Sequence, residues 1–216
     1  MRGDASNRGV IRFYRAPWST NCERITLALA YKGLDAEDIW IDYSDRSPVE
    51  EVSGQPLVPV VDFGDEIVFD SPRIIARLEE LHPDPPLYPA DRSRRAEIDI
   101  FIEWFQHVWK RPPNEIERIL GLSETDPHQI AELSGLMRSW LDIFESMLDG
   151  RDYLFGDEFS AADCIAYPFL KYAADRDPAD DELFHRILDH HQSIEGRPAL
   201  ARWIERVSTR PGAYGS

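Results

Sequence analysis

The sequence predicts an α+β domain followed by an all-α domain. From Val10 to about Leu81, strand-like apolar runs alternate with helical patterns. Four prolines among the eight residues 82–89 then interrupt the chain, and beyond Asp91 the strand signals disappear. We therefore place the α+β domain at 10–82, a proline-rich linker at 83–90 and the helical domain at 91–216. Residues 1–9 are expected to be disordered or extended.

The first domain is predicted to follow the order β-α-β-loop-β-β-α. Its predicted elements are a strand at 10–14, a helix at 21–32, a strand at 39–42, two strands at 58–63 and 66–69, and a helix from 71 to 81. Gly33 is placed to end the first helix, and Gly64 lies in a hairpin turn between the last two strands. Ser71 followed by Pro72 favours a helix start, with Ser71 as the cap.

The second domain is predicted from helical patterns at 91–110, 127–149, 161–174, 181–193 and 198–207, separated by prolines and glycines. Its sharpest local signal is the segment Phe159-Ser160-Ala161-Ala162-Asp163-Cys164. Ser160 is the predicted N-cap and Asp163 the third helical residue of a capping box. We assign this box to the folding of its helix.

Composition excludes several function classes. The chain of 216 residues has a net charge of −16, which argues against nucleic acid and anionic membranes as partners. No apolar run is long enough for a transmembrane helix and the N-terminus is polar, so we expect a cytoplasmic protein. Cys22 and Cys164 are far apart in the sequence and do not make a disulfide scaffold. No cluster of His, Cys, Asp or Glu has metal-ligand spacing, so no metal is expected.

The most informative segment runs from Arg15 to Arg24 and joins the first strand to the first helix. Ser19, with Cys22 three residues later, is placed at a helix N-terminus, where unpaired N–H groups and the helix dipole favour an anion. A thiolate is such an anion, so the segment is predicted to act on a thiol. Plain helix capping by Ser19 is the structural alternative.

Together these motifs resemble the cytosolic glutathione transferase family, from about Val10 to Tyr214. The resemblance rests on the Ser19 turn with Arg24, Leu57-Val58-Pro59-Val60 before a hairpin, Asp70-Ser71 at a helix start, and the box from Phe159 to Asp163. The Ser19 turn is most similar to the zeta and omega classes and is of the serine type. The resemblance implies a thioredoxin-like N-terminal domain that binds glutathione and a helical C-terminal domain that supplies the acceptor pocket.

Within this resemblance Ser19 is the predicted catalytic residue, because its hydroxyl can donate a hydrogen bond to a thiolate and lower the pKa of the thiol. Thr20 is a competing hydroxyl, and Tyr14 is a third because some classes use a tyrosine at the end of the first strand. Cys22 is also assigned to the glutathione site. A mixed disulfide is open to this thiol, and a buried, inert cysteine is the favoured alternative.

The segment Leu57-Val58-Pro59 is assigned to the same site. Val58-Pro59 matches the family's cis-proline, which implies that Val58 N–H and C=O pair with the glutathione backbone like an added strand. Leu57 stands where the family usually has a polar residue, and Gln55 is the candidate substitute for contact with the glycyl carboxylate. Asp70 and Ser71 are assigned to the ammonium and the carboxylate of the γ-glutamyl group.

One group of residues in the second domain is assigned to the acceptor substrate. Trp104, His107 and Arg111 lie at i, i+3 and i+7, a spacing that predicts one shared helix face. We assign this face to the acceptor pocket. An ordinary interface histidine is an equally good interpretation of His107.

The resemblance implies a detoxification enzyme that uses glutathione as co-substrate and adds its thiolate to a small, mostly apolar electrophile. It also implies a homodimer. A glutathione-dependent isomerase would use the same thiolate. A non-catalytic binding or regulatory protein of this fold is an alternative from another class. A reductase acting through Cys22 is disfavoured because position 19 holds a serine.

Overall fold

The structure is a computed structural model that describes residues 10–213, so the prediction for residues 1–9 lies outside the described part of the chain. The chain divides into two compact units, one of residues 10–86 with 211–213 and one of residues 87–210. Gly212 lets the chain end approach the first unit closely. A Cβ at Gly212, whose φ is +84°, would lie 2.6 Å from the carbonyl oxygen of Thr26. Only glycine fits this approach.

The first unit is built on a mixed four-stranded sheet in the order β2-β1-β3-β4. The strands are β1 (Arg12–Arg15), β2 (Glu37–Trp40), β3 (Val60–Asp62) and β4 (Ile67–Phe69). β1 pairs parallel with β2 and antiparallel with β3, and β3 pairs antiparallel with β4. The predicted hairpin is confirmed, since Phe63 N donates to Glu66 O at 2.9 Å across a turn that contains Gly64.

Three helices accompany the sheet: α1 (Thr20–Tyr31), α2 (Ser47–Ser53) and α3 (Ser71–Leu81). The prediction of a loop in place of α2 is wrong. This helix has seven residues, of which only Val49 is buried, and its N-cap Arg46 makes no side-chain capping hydrogen bond. It therefore lacks both the apolar period and the cap from which a helix is recognised in a sequence.

The core of this unit lies between the sheet and its helices. α1 packs against α3, and Ile25, Ala28, Ile74 and Leu78 are completely buried. A separate cluster is formed by Ile41, Val49 and Val60. The i, i+3 spacing of Ile25 and Ala28 and the i, i+4 spacing of Ile74 and Leu78 place each pair on one helix face.

The second unit is helical, as predicted. Its helices are α4 (Arg92–Trp104), α5 (Arg111–Leu120), α6 (Pro127–Met147), α7 (Ala161–Leu170), α8 (Leu183–His191) and α9 (Pro198–Ser208). A π-helical turn, Phe105–Trp109, follows α4, and a 3₁₀ turn, Lys171–Ala173, follows α7. No helix of the described residues is long and apolar enough to cross a membrane.

The sequence predicts no helix between 110 and 127, but α5 lies there, with Pro112-Pro113 in its first turn. Both prolines are buried in the first turn of the helix, where no backbone N–H is needed for the intrahelical ladder. The predicted capping box at α7 is confirmed, because Ser160 N donates to Asp163 Oδ2 at 2.9 Å.

Candidate active site

The turn between β1 and α1 places Ser19 as the N-cap of α1. Its Oγ accepts a hydrogen bond from Cys22 N at 3.3 Å, so the predicted capping role is present. Trp18, directly before it, has φ +58°, a left-handed conformation that is costly for a residue with a side chain. Strain of this kind is frequent at functional sites.

The capping bond leaves the Ser19 hydroxyl with a proton to donate. A backbone N–H is only a donor, so Ser19 Oγ acts as the acceptor in its bond to Cys22 N. A hydroxyl has one proton and two lone pairs, and this bond uses a lone pair. Ser19 is half-buried at the positive end of α1. Capping and hydrogen-bond donation to an anion are therefore compatible in the same side chain.

Cys22 is buried, with 1% exposure, and has a free thiol. Burial raises the pKa of this thiol to about 11, against the opposing effects of hydrogen bonding with Ser19 and the Ala16 backbone and of the Arg15 charge. A thiol with such a pKa is protonated at neutral pH and is a poor nucleophile. This environment matches the inert state that the sequence favoured for Cys22.

The two competing hydroxyls lie in different surroundings. Thr20 is the first residue of α1 and is 6% exposed. Tyr14 packs against the cluster of Ile41, Val49 and Val60, as expected for a core aromatic of β1. Ser19 is more open to solvent than Thr20 and, unlike Tyr14, lies at a helix N-terminus.

The sheet register brings three segments to one end of the sheet. Tyr14 near the end of β1 pairs with Val60 at the start of β3, and Val60 pairs with Phe69 at the end of β4. The segments that continue beyond this end are the Ser19 turn, Val58-Pro59 and Asp70-Ser71. Three separate parts of the sequence therefore continue from the same end of the sheet.

The Val58–Pro59 peptide is cis, as expected. Within residues 10–213, the backbone hydrogen bonds include neither the N–H nor the C=O of Val58. Gln55 holds the preceding turn: its Oε1 accepts from Leu57 N at 2.8 Å and its Nε2 donates to Leu57 O at 2.9 Å. The Gln55 amide therefore makes local bonds, and the Leu57 side chain is 62% exposed.

In the third segment, Asp70-Ser71, the predicted N-cap of α3 is wrong by one residue. Asp70 is the N-cap of α3, with φ +73° and no side-chain capping bond, and Ser71 is the first helical residue. The Ser71 side chain is 2% exposed, and its Oγ accepts from Arg24 Nη1 at 3.1 Å instead of capping the helix. Asp70 is exposed, so its carboxylate is open to a ligand cation.

Two family profiles match this chain, one in each compact unit. The family profile described as "Glutathione S-transferase, N-terminal domain" matches residues 13–86, and "Glutathione S-transferase, C-terminal domain" matches residues 127–206. The chain belongs to the glutathione S-transferase family. The sheet-containing unit and the helical unit correspond to the two domains of this family, which confirms the expected fold.

Curated relatives of this family member include plant and bacterial proteins. Glutathione S-transferase Z2 of Arabidopsis thaliana is 36% identical over 223 residues, which cover 94% of this chain and 91% of that protein. Maleylpyruvate isomerase of Ralstonia sp is 28% identical over 179 residues, which cover 76% of this chain and 82% of that protein. The beta-etherase LigF from Sphingobium sp. strain SYK-6 shares the fold, with a TM-score of 0.78 and 19% identity over 95% of this chain and 97% of that chain.

In the helical unit of this family member, Trp104, His107 and Arg111 do not lie on one continuous α-helix, so the α-helical spacing from which their shared face was predicted is not present. α4 ends at Trp104, a π-helical turn carries His107, and Arg111 opens α5. A π turn holds more residues than an α turn, so α-helical spacing does not apply across it. Trp104 packs edge-on against Trp140 at 5.7 Å, and the exposed His107 lies 3.3 Å from Glu103.

Two buried arginines of the sheet-containing unit make contacts that the sequence pattern does not predict. Arg15, at the end of β1, contacts Asp38 at 3.3 Å and lies 4.5 Å from the centre of the Trp40 ring. Arg24, in α1, contacts Ser71. A signal for Arg24 was available, because it lies one helical turn before Ala28 and therefore on the buried face.

Proposed function

We propose that this protein is a glutathione transferase in which Ser19 stabilises the glutathione thiolate for attack on a small, mostly apolar electrophile. The observation that carries the proposal is the convergence of the Ser19 turn, Val58-Pro59 and Asp70-Ser71 at one end of the sheet. Each segment offers a group that matches a different part of the tripeptide. The match of both domains to the family supports the same conclusion.

The Ser19 hydroxyl donates its proton to the thiolate while its oxygen keeps the capping bond from Cys22 N. This hydrogen bond and the positive end of α1 favour the ionised thiol and lower its pKa from roughly 8.5. Thr20 and Cys22 are the flanking contacts in the proposal. The thiolate, held in position, is then the nucleophile.

Val58 supplies one N–H and one C=O to the peptide backbone of glutathione, as an edge strand does. Pro59 and the exposed Leu57 flank this contact. Asp70 attracts the γ-glutamyl ammonium group. The Ser71 hydroxyl and the first N–H groups of α3 take the γ-glutamyl carboxylate.

The test is titration calorimetry with reduced glutathione, followed by ultraviolet absorbance of the bound thiolate as a function of pH. We expect binding, and a thiol pKa clearly below that of free glutathione. Ser19→Ala is expected to bind glutathione but to return the thiol pKa toward its free value. Thr20→Ala removes the competing hydroxyl, and we expect it to keep the thiol pKa lowered even where it weakens binding; a free-value pKa in Thr20→Ala instead of Ser19→Ala would assign the role to Thr20. No binding at millimolar glutathione would contradict the proposal.

A second candidate is a glutathione-dependent isomerase, favoured by the similarity to maleylpyruvate isomerase. The two reactions differ in whether they consume glutathione. Transfer to an aryl halide consumes one glutathione and releases one halide ion per turnover, whereas isomerisation returns the thiol unchanged. Free thiol measured during turnover of an aryl halide and of a cis-unsaturated diacid distinguishes the two.

The proposal also includes the acceptor contacts, the assembly and the compartment. Trp104, His107 and Arg111 remain the candidate acceptor contacts, and each can be tested by the KM for an aryl halide. We propose a homodimer in the cytoplasm. Exposed apolar side chains at Phe69 on β4 and Ile100 on α4, 39% and 69% exposed, are suited to burial against a second copy. Sedimentation analysis of the wild-type protein and of Ile100→Glu tests the dimer.

A further inference from the structure

The buried side chain of Arg24 contacts Ser71, the serine that is predicted to bind the carboxylate. Arg24 in α1 is completely buried, Ser71 at the start of α3 is 2% exposed, and Arg24 Nη1 lies 3.1 Å from Ser71 Oγ. The two residues are 47 positions apart in the sequence. An arginine is rarely buried without a specific role for its charge or its hydrogen bonds.

The direction of this hydrogen bond decides what Ser71 can offer to a ligand. A guanidinium has N–H donors and no acceptor, so Ser71 Oγ must accept from Arg24. Its single proton is then left for another acceptor. Within residues 10–213, Ser71 Oγ donates to no acceptor in the structure. Arg24 thus prepares the hydroxyl to donate.

We propose that Arg24 is a positioning residue that makes this site specific for the α-carboxylate of the γ-glutamyl group. It acts through Ser71: the guanidinium fixes the oxygen as an acceptor, and the hydroxyl proton is donated to the carboxylate. The positive charge of Arg24, one hydroxyl away, strengthens this bond to an anion. The inference rests on the proposed function, since it names what the Asp70-Ser71 segment recognises in glutathione.

The test compares the affinities of one protein sample for two ligands. The ligands are reduced glutathione and its analogue with γ-aminobutyryl in place of γ-glutamyl, which keeps the amine and lacks the α-carboxylate. The ratio of the two Kd values does not depend on the folded fraction of the sample. We expect the wild-type protein to prefer glutathione at least tenfold.

Two substitutions of Arg24 separate positioning from packing. Both Arg24→Lys and Arg24→Gln shorten the side chain in the same buried place. Lysine is still a cation that can only donate, whereas glutamine is neutral and can also accept the hydroxyl proton. We expect Arg24→Lys to keep most of the preference and Arg24→Gln to reduce the ratio to within about threefold of one. A merely structural role would affect both variants alike.

Lys32→Met, which removes the buried cation at the C-cap of α1, is the control for general destabilisation and is expected to keep the wild-type ratio. A wild-type ratio in Arg24→Gln overturns the inference. Should Arg24→Gln fail to fold, Ser71→Ala decides, since a wild-type ratio in that variant also overturns it. Absence of glutathione binding by the wild-type protein instead overturns the proposed function, so the two failures are distinguishable.

Discussion

Lys32 and Glu79 form a buried ion pair, with 2.7 Å between Nζ and Oε2. The side chain of Lys32 is completely buried and that of Glu79 is 9% exposed. Lys32 Nζ also donates to His82 O at 2.7 Å and to Pro85 O at 3.0 Å, so all three of its protons are used. One ammonium group therefore ties the end of α1 to α3 and to the chain that leaves α3.

Removing this cation should be costly. Lys32→Met removes the hydrogen bonds that the ammonium group donates to a buried carboxylate and two carbonyls. Loss of one partner of a buried pair costs about 3–5 kcal/mol of unfolding free energy. Urea unfolding measures the change. Arg118→Met is the matched control, because its pair with Glu115 is exposed and is expected to leave the unfolding midpoint nearly unchanged. Equal effects of the two substitutions would contradict the assignment.

The two roles of Ser19 can be separated by substitution. Ser19→Ala removes the cap and the hydroxyl proton, so it should lower the unfolding free energy by about 1 kcal/mol and abolish thiolate stabilisation. Ser19→Asp is still a good cap but offers no proton and adds a negative charge near the thiolate. We expect Ser19→Asp to keep the stability and lose the activity. Thermal unfolding and turnover of an aryl halide give both quantities; an active Ser19→Asp would rule out hydrogen-bond donation.

The thiol of Cys22 should be unreactive in the folded protein. With a pKa of about 11, close to one molecule in a thousand carries the thiolate at pH 8. Both cysteines are buried, so we expect an aromatic disulfide reagent to label neither thiol in the native state and both in denaturant. Rapid native labelling that disappears in Cys22→Ala would contradict this and would revive the mixed-disulfide alternative.

The raised pKa of Cys22 also predicts a pH dependence of stability. The unfolded chain ionises near the ordinary value of 9.0, while the folded chain keeps its proton to about pH 11. The protonated Cys22 thiol therefore makes its full contribution to the unfolding free energy below pH 9. This contribution, about 3 kcal/mol in total, is lost as the pH rises to 11. The unfolding free energy of the wild-type protein should fall toward that of Cys22→Ala over this window, and parallel curves would contradict the assignment.

Much of this fold could be predicted because its signals are local. The β1–α1 turn, the hairpin at Gly64 and the box at Ser160 each place characteristic residues within a few positions of one another. α2 carries no such signal, since it is short and buries little. α5 is not predicted because a proline pair is compatible with either a helix break or a helix start, and burial in the folded unit decides between them.

The motifs of the candidate site can be predicted from the sequence, but the contacts between distant residues cannot. The motifs at Ser19, Val58 and Ser71 were recognisable, whereas the bond from Arg24 to Ser71 joins residues 47 positions apart. The π-helical turn at His107 likewise carries Phe105, whose ring packs against that of Phe169 in α7 with 5.6 Å between the ring centres. Non-local contacts of this kind have no signature in sequence periodicity.

Asp163 makes the capping box of α7 part of a larger buried network. Its Oδ1 accepts from Leu154 N at 3.1 Å and from Trp203 Nε1 at 2.8 Å. Its Oδ2 accepts from Ser160 N at 2.9 Å and from Ser160 Oγ at 2.7 Å. One carboxylate thus holds the start of α7, the preceding loop and α9 together in the second unit.

Substitutions in this capping box should therefore lower the unfolding free energy by different amounts. Asp163→Ala leaves four buried donors without an acceptor, so we expect a loss of about 3 kcal/mol or more of unfolding free energy. Asp163→Asn should be intermediate, because its oxygen can serve Leu154 and Trp203 while its NH₂ faces the N–H of Ser160. Ser160→Ala removes one donor and should cost about 1 kcal/mol. Chemical unfolding of the three variants measures the order, and an Asp163→Ala variant no less stable than Ser160→Ala would show that the network contributes nothing beyond the cap.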